Sequence, residues 1–260
     1  MYETTFHKAS SADDAASKLG AAEEGKLLAG GQTLIPTMKA RFASPSDLIS
    51  LKDASISGIC RDGDSVVIGA MTTHAEVASS VDVPAYLAAL AGGIGDPAVR
   101  HRGTIGGSIA NNDPAADYPS ACLALGATIR TNQREIAAAD YFEGMFETAL
   151  EEDEVIISVV FPDADKAAYA KFPNPASRYA MVGVFVAQSG GETRVAVTGA
   201  GEDGVFRHEG LEAALADSFT ENSAASVAVS ADGLLSDIHG SSEYRAALIT
   251  AMAKRAVAAA

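Results

Sequence analysis

Two glycine pairs, each set between a short apolar run and a helix-forming stretch, restrict this chain more than any other feature. The first lies in "KLLAGGQTLIPTMKAR", from Lys26 to Arg41, and the second in "RGTIGGSIANN", from Arg102 to Asn112. Consecutive glycines reach positive φ, so successive N–H groups converge on one concavity and no side chain holds an anion away. Taken alone, each pair reads first as a turn. Together, flanked by the hydroxyls of Thr33, Thr104 and Ser108, they predict a diphosphate held between two lobes.

Charge gives that prediction its weight. Nineteen basic side chains against thirty-four acidic ones leave a net charge of −15. Such a surface repels nucleic acid, and an anionic ligand would need local donors, preferably backbone N–H groups. A composition of 48% apolar and 20% charged residues over 260 positions is that of a globular protein of one elaborate domain or several smaller ones. The N-terminus lacks the apolar stretch of a signal peptide and no segment is long enough to span a membrane, so the cytoplasm is the expected compartment. Cys60 and Cys122 have no C-x-x-C partner and are expected to be buried hydrophobes. The five histidines are dispersed without evident carboxylate companions, and no metal site is expected.

Along the chain, "SADDAASKLGA" predicts a helix capped by Ser10 or Ser11, and "KLLAG" a strand leading into Gly30-Gly31. Thr33 is the expected cap of the next helix, with Pro36 in its first turn, and "DLISL" returns as a strand. Val66 to Ile68 predict a strand followed by a helix capped by Thr72 or Thr73. In "NNDPAADYPSACLALG", Asp113-Pro114 has the form of an N-cap and N1 for a helix ending near Gly126. "EVIISVVFP" is a buried strand, with a boundary expected near residue 165. Beyond it, "RYAMVGVFVAQSGGETRVAVTGAG" predicts a hairpin turning at Gly190-Gly191, and the chain ends in a helix capped by Ser241 or Ser242. The class is α+β.

One competitor uses Gly199, Gly201 and Gly204, whose G-x-G-x-x-G spacing follows a strand as in dinucleotide-binding turns. Two carboxylates in "GEDG" would lie where a pyrophosphate should, so a surface turn is expected. A nicotinamide-dependent dehydrogenase using this turn is nevertheless the alternative reading.

Four stretches carry a family resemblance: "LLAGGQTLIPTMKARFASPSDLISL", "IGAMTTHAEV", "GDPAVRHRGTIGGSIANNDPAADYPSACLALGA" and "SDIHGSSEYRAALI". In that order, and over nearly the whole chain, they resemble the FAD-binding medium subunit of molybdenum hydroxylases, the group of the carbon monoxide dehydrogenase medium subunit and the xanthine dehydrogenase flavin domain. The resemblance implies a two-subdomain FAD module of the vanillyl-alcohol-oxidase-like (PCMH) type, over residues 1–53 and 54–165. A C-terminal α+β domain with a three-stranded antiparallel sheet and helices follows, over 166–260.

It also implies non-covalent FAD with its pyrophosphate on Ala29, Gly30, Gly31, Gln32 and Thr33, with Leu34 and Ile35 following, and on Thr104, Ile105, Gly106 and Gly107. Ser108, Asn112, Asp113 and Asp117 fall at cofactor-contacting positions. The usual first motif ends in serine, and Thr33 keeps the hydroxyl while adding a methyl. Tyr179 matches the position from which some members approach the flavin ring, although a tyrosine there is more often simply core. Arg100 and Arg102 could offset cofactor charge or make ordinary ion pairs. No catalytic base is evident. The implied role is electron transfer, with a large molybdopterin subunit and a small [2Fe-2S] subunit as partners in a dimer of heterotrimers. A scaffold that has lost FAD is a further alternative.

Overall fold

A computed structural model describes residues 1–260. The chain opens with strand β1 (Thr5–Lys8), helix α1 (Ala12–Ala21), β2 (Gly25–Leu28), α2 (Leu34–Lys39) and β3 (Asp47–Ser50). The strands form a parallel sheet in the order β1-β3-β2. Ser11 starts α1 by accepting from the Asp14 N–H at 3.0 Å, as a short hydroxyl at this position does. Central β3 is buried from Leu48 to Ser50, as a strand covered on both sides must be. His7 lies 2.6 Å from the Asp47 carboxylate across the β1–β3 ladder, so this histidine does have an acidic companion, brought to it by parallel pairing.

There follow β4 (Ile59–Asp62), β5 (Ser65–Gly69), α3 (His74–Ser79), α4 (Ala85–Gly92), α5 (Pro97–Arg100), α6 (Ile105–Asn111), α7 (Tyr118–Leu125), β6 (Thr128–Thr131), β7 (Glu135–Ala137), β8 (Phe142–Gly144), β9 (Glu147–Thr148) and β10 (Ile156–Pro162). An antiparallel sheet, β4-β5-β10-β6-β7, packs Val66, Ile68, Ile129, Val159 and Phe161 into a core with Leu87, Leu90, Ile105 and Ile109 from the helices. Thr73 opens α3 with a reciprocal capping box to Glu76. Two expectations fail here. Cys60 is exposed because β4 is an edge strand, whereas Cys122 is buried on α7. Asp113-Pro114 does not start a helix: Asp113 closes a turn, accepting from Ala115 N–H at 2.8 Å, and α7 begins only at Tyr118.

The C-terminal part contains β11 (Lys166–Pro173), β12 (Ala180–Ser189), β13 (Glu192–Gly201), β14 (Gly204–Arg207), α8 (Glu209–Asp217), α9 (Glu221–Ser226) and α10 (Ser242–Ala259). Its sheet is antiparallel with four strands, β11-β12-β13-β14, rather than three. The extra strand comes from the G-x-G-x-x-G segment, which turns straight back at Glu202-Asp203 with Gly201 paired to Gly204. Gly199 takes φ +79 at a register shift, where a Cβ would lie 2.3 Å from the Ala180 carbonyl oxygen. These glycines therefore serve a bulged hairpin, and the third of them starts strand β14 where a pyrophosphate-binding turn would start a helix.

β12 explains why "AMVGVFVA" is apolar at nearly every position. Val182, Val184 and Val186 face α10 and its neighbours, while Phe185 and Ala187 join the core of the preceding sheet and helices. One strand thus forms the wall between two cores, with period-two alternation deciding which residue serves which.

Candidate functional site

A cleft of about 670 Å³ runs between the loop after β2, the segment before and within α6, and the turn joining β11 to β12. Its volume is in the range of ligand sites, roughly 300–1,000 Å³. Ala29, Gly30, Gly31, Gln32, Thr33 and Leu34 line it from one side, and Thr104, Gly106, Gly107 and Ser108 from the other, with Asp113, Asp117 and Tyr179 at one end.

The glycines of the two pairs do different work. Gly30 packs directly on the second segment, since a Cβ there would sit 2.0 Å from the Arg102 carbonyl oxygen. Gly31 takes φ +71, the left-handed region that costs a side-chain-bearing residue energy. Gly106 is inside the protein, where a Cβ would lie 2.5 Å from Ala70 Cβ and 2.8 Å from its carbonyl oxygen. Gly107 faces the first loop, with Ala29 Cβ 3.5 Å from where its own would be. Gly106 thus lets α6 seat on the chain beyond β5, and Gly30 locks the two segments together.

Backbone donors separate the motifs further. In the second, Ile105 N–H donates to Thr72 O, Gly106 N–H to Ala70 O, Gly107 N–H to Thr104 Oγ1 and Ser108 N–H to Thr104 O. In the first, the N–H groups from Ala29 to Leu34 donate to no protein acceptor, and the next, Ile35 N–H, bonds Gly31 O. Thr33 stands before α2 but in helical conformation, so its hydroxyl makes no cap bond. Backbone donors must find partners, and here a run of them lies along a cleft.

The remaining predicted residues divide. Thr104 is buried and caps α6; Ser108 is half-buried on the cleft wall. Ile105 is buried in the core and Ile35 packs beneath Gly31, so neither lines the cleft. Asn112 takes φ +40 and donates to the Gly144 and Glu147 carbonyls, both at 2.8 Å, so its carboxamide anchors the β8–β9 hairpin instead of facing the cleft. Arg100 donates to the Ile94 and Gly95 carbonyls, and Arg102 contributes its backbone to the seat of Gly30. Tyr179 is not core: it is 47% exposed at the cleft end.

Electrostatics fit an anion held by backbone. Lys26 and Arg178 are the cationic side chains lining the cleft, against Asp113, Asp117, Glu152 and Glu154. Asp117 is buried, with Lys171 Nζ 3.0 Å away and the Tyr169 hydroxyl donating at 2.5 Å. This engagement explains why Asp117, at the N-cap position of α7, makes no cap bond. Burial raises the Asp117 carboxyl, with Lys171 and Tyr169 opposing. Burial likewise raises Asp113, and it raises the Tyr179 phenol with help from Asp113 and Asp117.

His74 is a cleft residue that sequence reasoning passed over. It is 5% exposed beneath Gly103, where a Cβ would meet its Nε2 at 2.7 Å, and its buried Nδ1 has no partner. Burial, then Arg100, lowers it to about 4. Its signal was the histidine directly after the capping Thr73 in "MTTHAEV". Lys171 was missed because one lysine in the alternating strand "KAAYAKFP" reads as solvent-facing.

Fold and cleft therefore define a mixed α+β protein with a cleft of ligand-site size, lined on one side by a glycine loop whose backbone N–H groups have no protein acceptor. A family model described as the FAD binding domain in molybdopterin dehydrogenase matches residues 2–164. The carbon monoxide dehydrogenase medium chain of Hydrogenophaga pseudoflava is 35% identical, covering 98% of this chain and 96% of that protein. The nicotine 6-hydroxylase medium subunit of Paenarthrobacter nicotinovorans is 34% identical, covering 95% and 93%. Among solved structures, the reconstituted CO dehydrogenase from Oligotropha carboxidovorans aligns with a TM-score of 0.89 at 31% identity, covering 98% of this chain and 96% of that one. The chain belongs to the family of FAD-binding medium subunits of molybdenum hydroxylases, oxidoreductase subunits whose cofactor is FAD. No helix is long and apolar enough to cross a membrane.

Proposed function

We propose that this chain is the electron-transfer flavoprotein subunit of a cytoplasmic molybdenum hydroxylase, working with a large molybdopterin subunit and a small [2Fe-2S] subunit in a dimer of heterotrimers. The observation that carries the reading is the run of N–H groups from Ala29 to Leu34 along the cleft, without protein acceptors. These donors would hold the FAD pyrophosphate non-covalently, with the Thr33 and Ser108 hydroxyls beside them and Gly107 leaving room. Asp113, Asp117 and Tyr179 would meet the cofactor at the other end. FAD, when bound, would supply the redox chemistry of a relay between iron–sulfur clusters and an external acceptor. The chain's own residues position that group. Lys171 keeps Asp117 compensated, Gly30 fixes the two segments against each other, and the turn carrying Tyr179 lines the remaining side of the cleft.

The relatives act on carbon monoxide or nicotine by name. In this reading the primary substrate belongs to the large subunit. The test is co-expression of the chain with a molybdopterin subunit and a [2Fe-2S] subunit from its own organism. Adding the substrate of the large subunit should bleach the flavin band only when the small subunit is present. Bleaching without the iron–sulfur subunit, or failure of the three chains to co-purify, contradicts the proposed relay.

A further inference from the structure

Tyr179 is the aromatic side chain of the turn between β11 and β12, and that turn is held in an unusual way. Arg178 before it takes φ +64, outside the comfortable range for a residue with a Cβ. Asn174 opposes this strain from the start of the turn. Its N–H donates to Tyr179 O at 2.7 Å and its carbonyl accepts from Arg178 N–H at 2.8 Å. Its side-chain Oδ1 accepts from Ala176 N–H at 2.9 Å and Ser177 N–H at 3.2 Å. With Oδ1 occupied by two donors, Nδ2 is left to donate to His239 Nδ1 at 3.3 Å.

The chain of contacts does not end there. His239 N–H donates to Asp237 Oδ1 at 2.9 Å, and Asp237 Oδ2 accepts from Arg245 Nη2 at 2.8 Å. Arg245 is 3% exposed and drives Nη1 into the Met181 and Gly199 carbonyls, at 2.6 and 2.8 Å. The "SDIHGSSEYR" stretch is thereby explained: Asp237, His239 and Arg245 run from the bulge at Gly199, deep in the C-terminal sheet, to the turn that carries Tyr179. Asn174 itself is 8% exposed, so its bonds are made away from competing water.

We propose that Asn174 is the positioning residue for Tyr179, held in turn by His239, Asp237 and Arg245, so that the aromatic ring is presented to the flavin end of the cleft. The proposal rests on the FAD reading above. Asn174 does not reach the cofactor; it acts through the ring. Removing its carboxamide releases two capping bonds and the link to His239, and Arg178 is then free to leave its left-handed conformation.

The experiment uses the full-length chain reconstituted with FAD. An aromatic ring in contact with a flavin quenches its fluorescence, so fluorescence yield reports ring position independently of any activity. Asn174→Ala should raise the yield of bound FAD about two-fold and weaken retention about five-fold, the scale of losing one cap. Tyr179→Ala should do the same. Adding Asn174→Ala to Tyr179→Ala should change neither quantity further. Asn174→Asp keeps an acceptor for Ala176 and Ser177 N–H and should restore most of the quenching. Effects of Asn174→Ala that persist in the Tyr179→Ala background, or a lower melting temperature with unchanged fluorescence, overturn the proposal. A wild-type chain that holds no FAD refutes the underlying cofactor reading instead.

Discussion

Replacing Gly31 with alanine isolates the proposed anion-binding loop from the rest of the fold. Alanine at φ +71 is disfavoured by about 1–2 kcal/mol. Its Cβ would meet Ile35 Cγ1 at 3.0 Å and Leu28 Cδ1 at 3.2 Å, tight contacts that both side chains relieve by shifting slightly. A total near 2 kcal/mol leaves a protein of ordinary stability, about 5–15 kcal/mol, still folded. If the loop instead relaxes to negative φ, the N–H groups from Ala29 to Leu34 change direction along the cleft. Losing two charge-assisted bonds at about 1.5–3 kcal/mol each weakens FAD binding by about 100-fold or more. The comparison is Gly106→Ala, which forces a Cβ to 2.5 Å from Ala70 Cβ and disturbs the Gly106 N–H to Ala70 O bond of 2.9 Å. Overpacking of this kind costs about 1–3 kcal/mol in stability. Flavin titration and thermal melting of the FAD-free protein separate the two. Gly31→Ala should lose affinity with a modest melting shift, and Gly106→Ala should lose melting temperature first. Unchanged FAD affinity in Gly31→Ala would refute the assignment of the loop.

Other perturbations test the surroundings of the cleft. His74 has a folded-state pKa lowered to about 4 from 6.5, so between those values the unfolded chain binds a proton that the folded one refuses. Stability should therefore fall as pH drops from 6.5 to 4, by about 3 kcal/mol in all, and His74→Gln should flatten that slope in urea melts. Lys171→Met leaves buried Asp117 without its cation and should destabilise by about 3 kcal/mol near neutrality. Because the Asp117 carboxyl is already raised by burial, that loss should shrink in acid, where the protonated group needs no counter-charge. Denaturation of both proteins at pH 8 and pH 4 checks the sign. Tyr169→Phe removes the 2.5 Å bond to Asp117 and should cost about 1–3 kcal/mol in the same assay.

Much of the scaffold was legible because its signals are local. Ser11, Thr73 and Ser241 cap the helices expected of them, and the Gly190-Gly191 turn joins the strands around it. The first glycine loop could be read as a strand, a positive-φ turn and a helix. The reason for Gly106 could not, since Ala70 meets it only after the sheet has brought β5 beside α6. Asn112 was misjudged for the same cause: its partners Gly144 and Glu147 sit in a hairpin far along the chain. β14 escaped notice because "GVFR" is too short to show alternation, and its glycine approach imitated a nucleotide fingerprint. Cys60 looked like a core residue until its strand proved to be an edge. Lys171 and His74 were hidden by burial, which no single side chain announces.

FAD is proposed to occupy the cleft along Ala29 to Leu34. The most direct measurement is the absorbance spectrum of the full-length chain after incubation with FAD and gel filtration, beside Gly31→Ala treated identically. The wild type should emerge yellow with stoichiometric flavin and Gly31→Ala nearly colourless but folded. A colourless, folded wild-type chain, or equal flavin in both, contradicts the central claim.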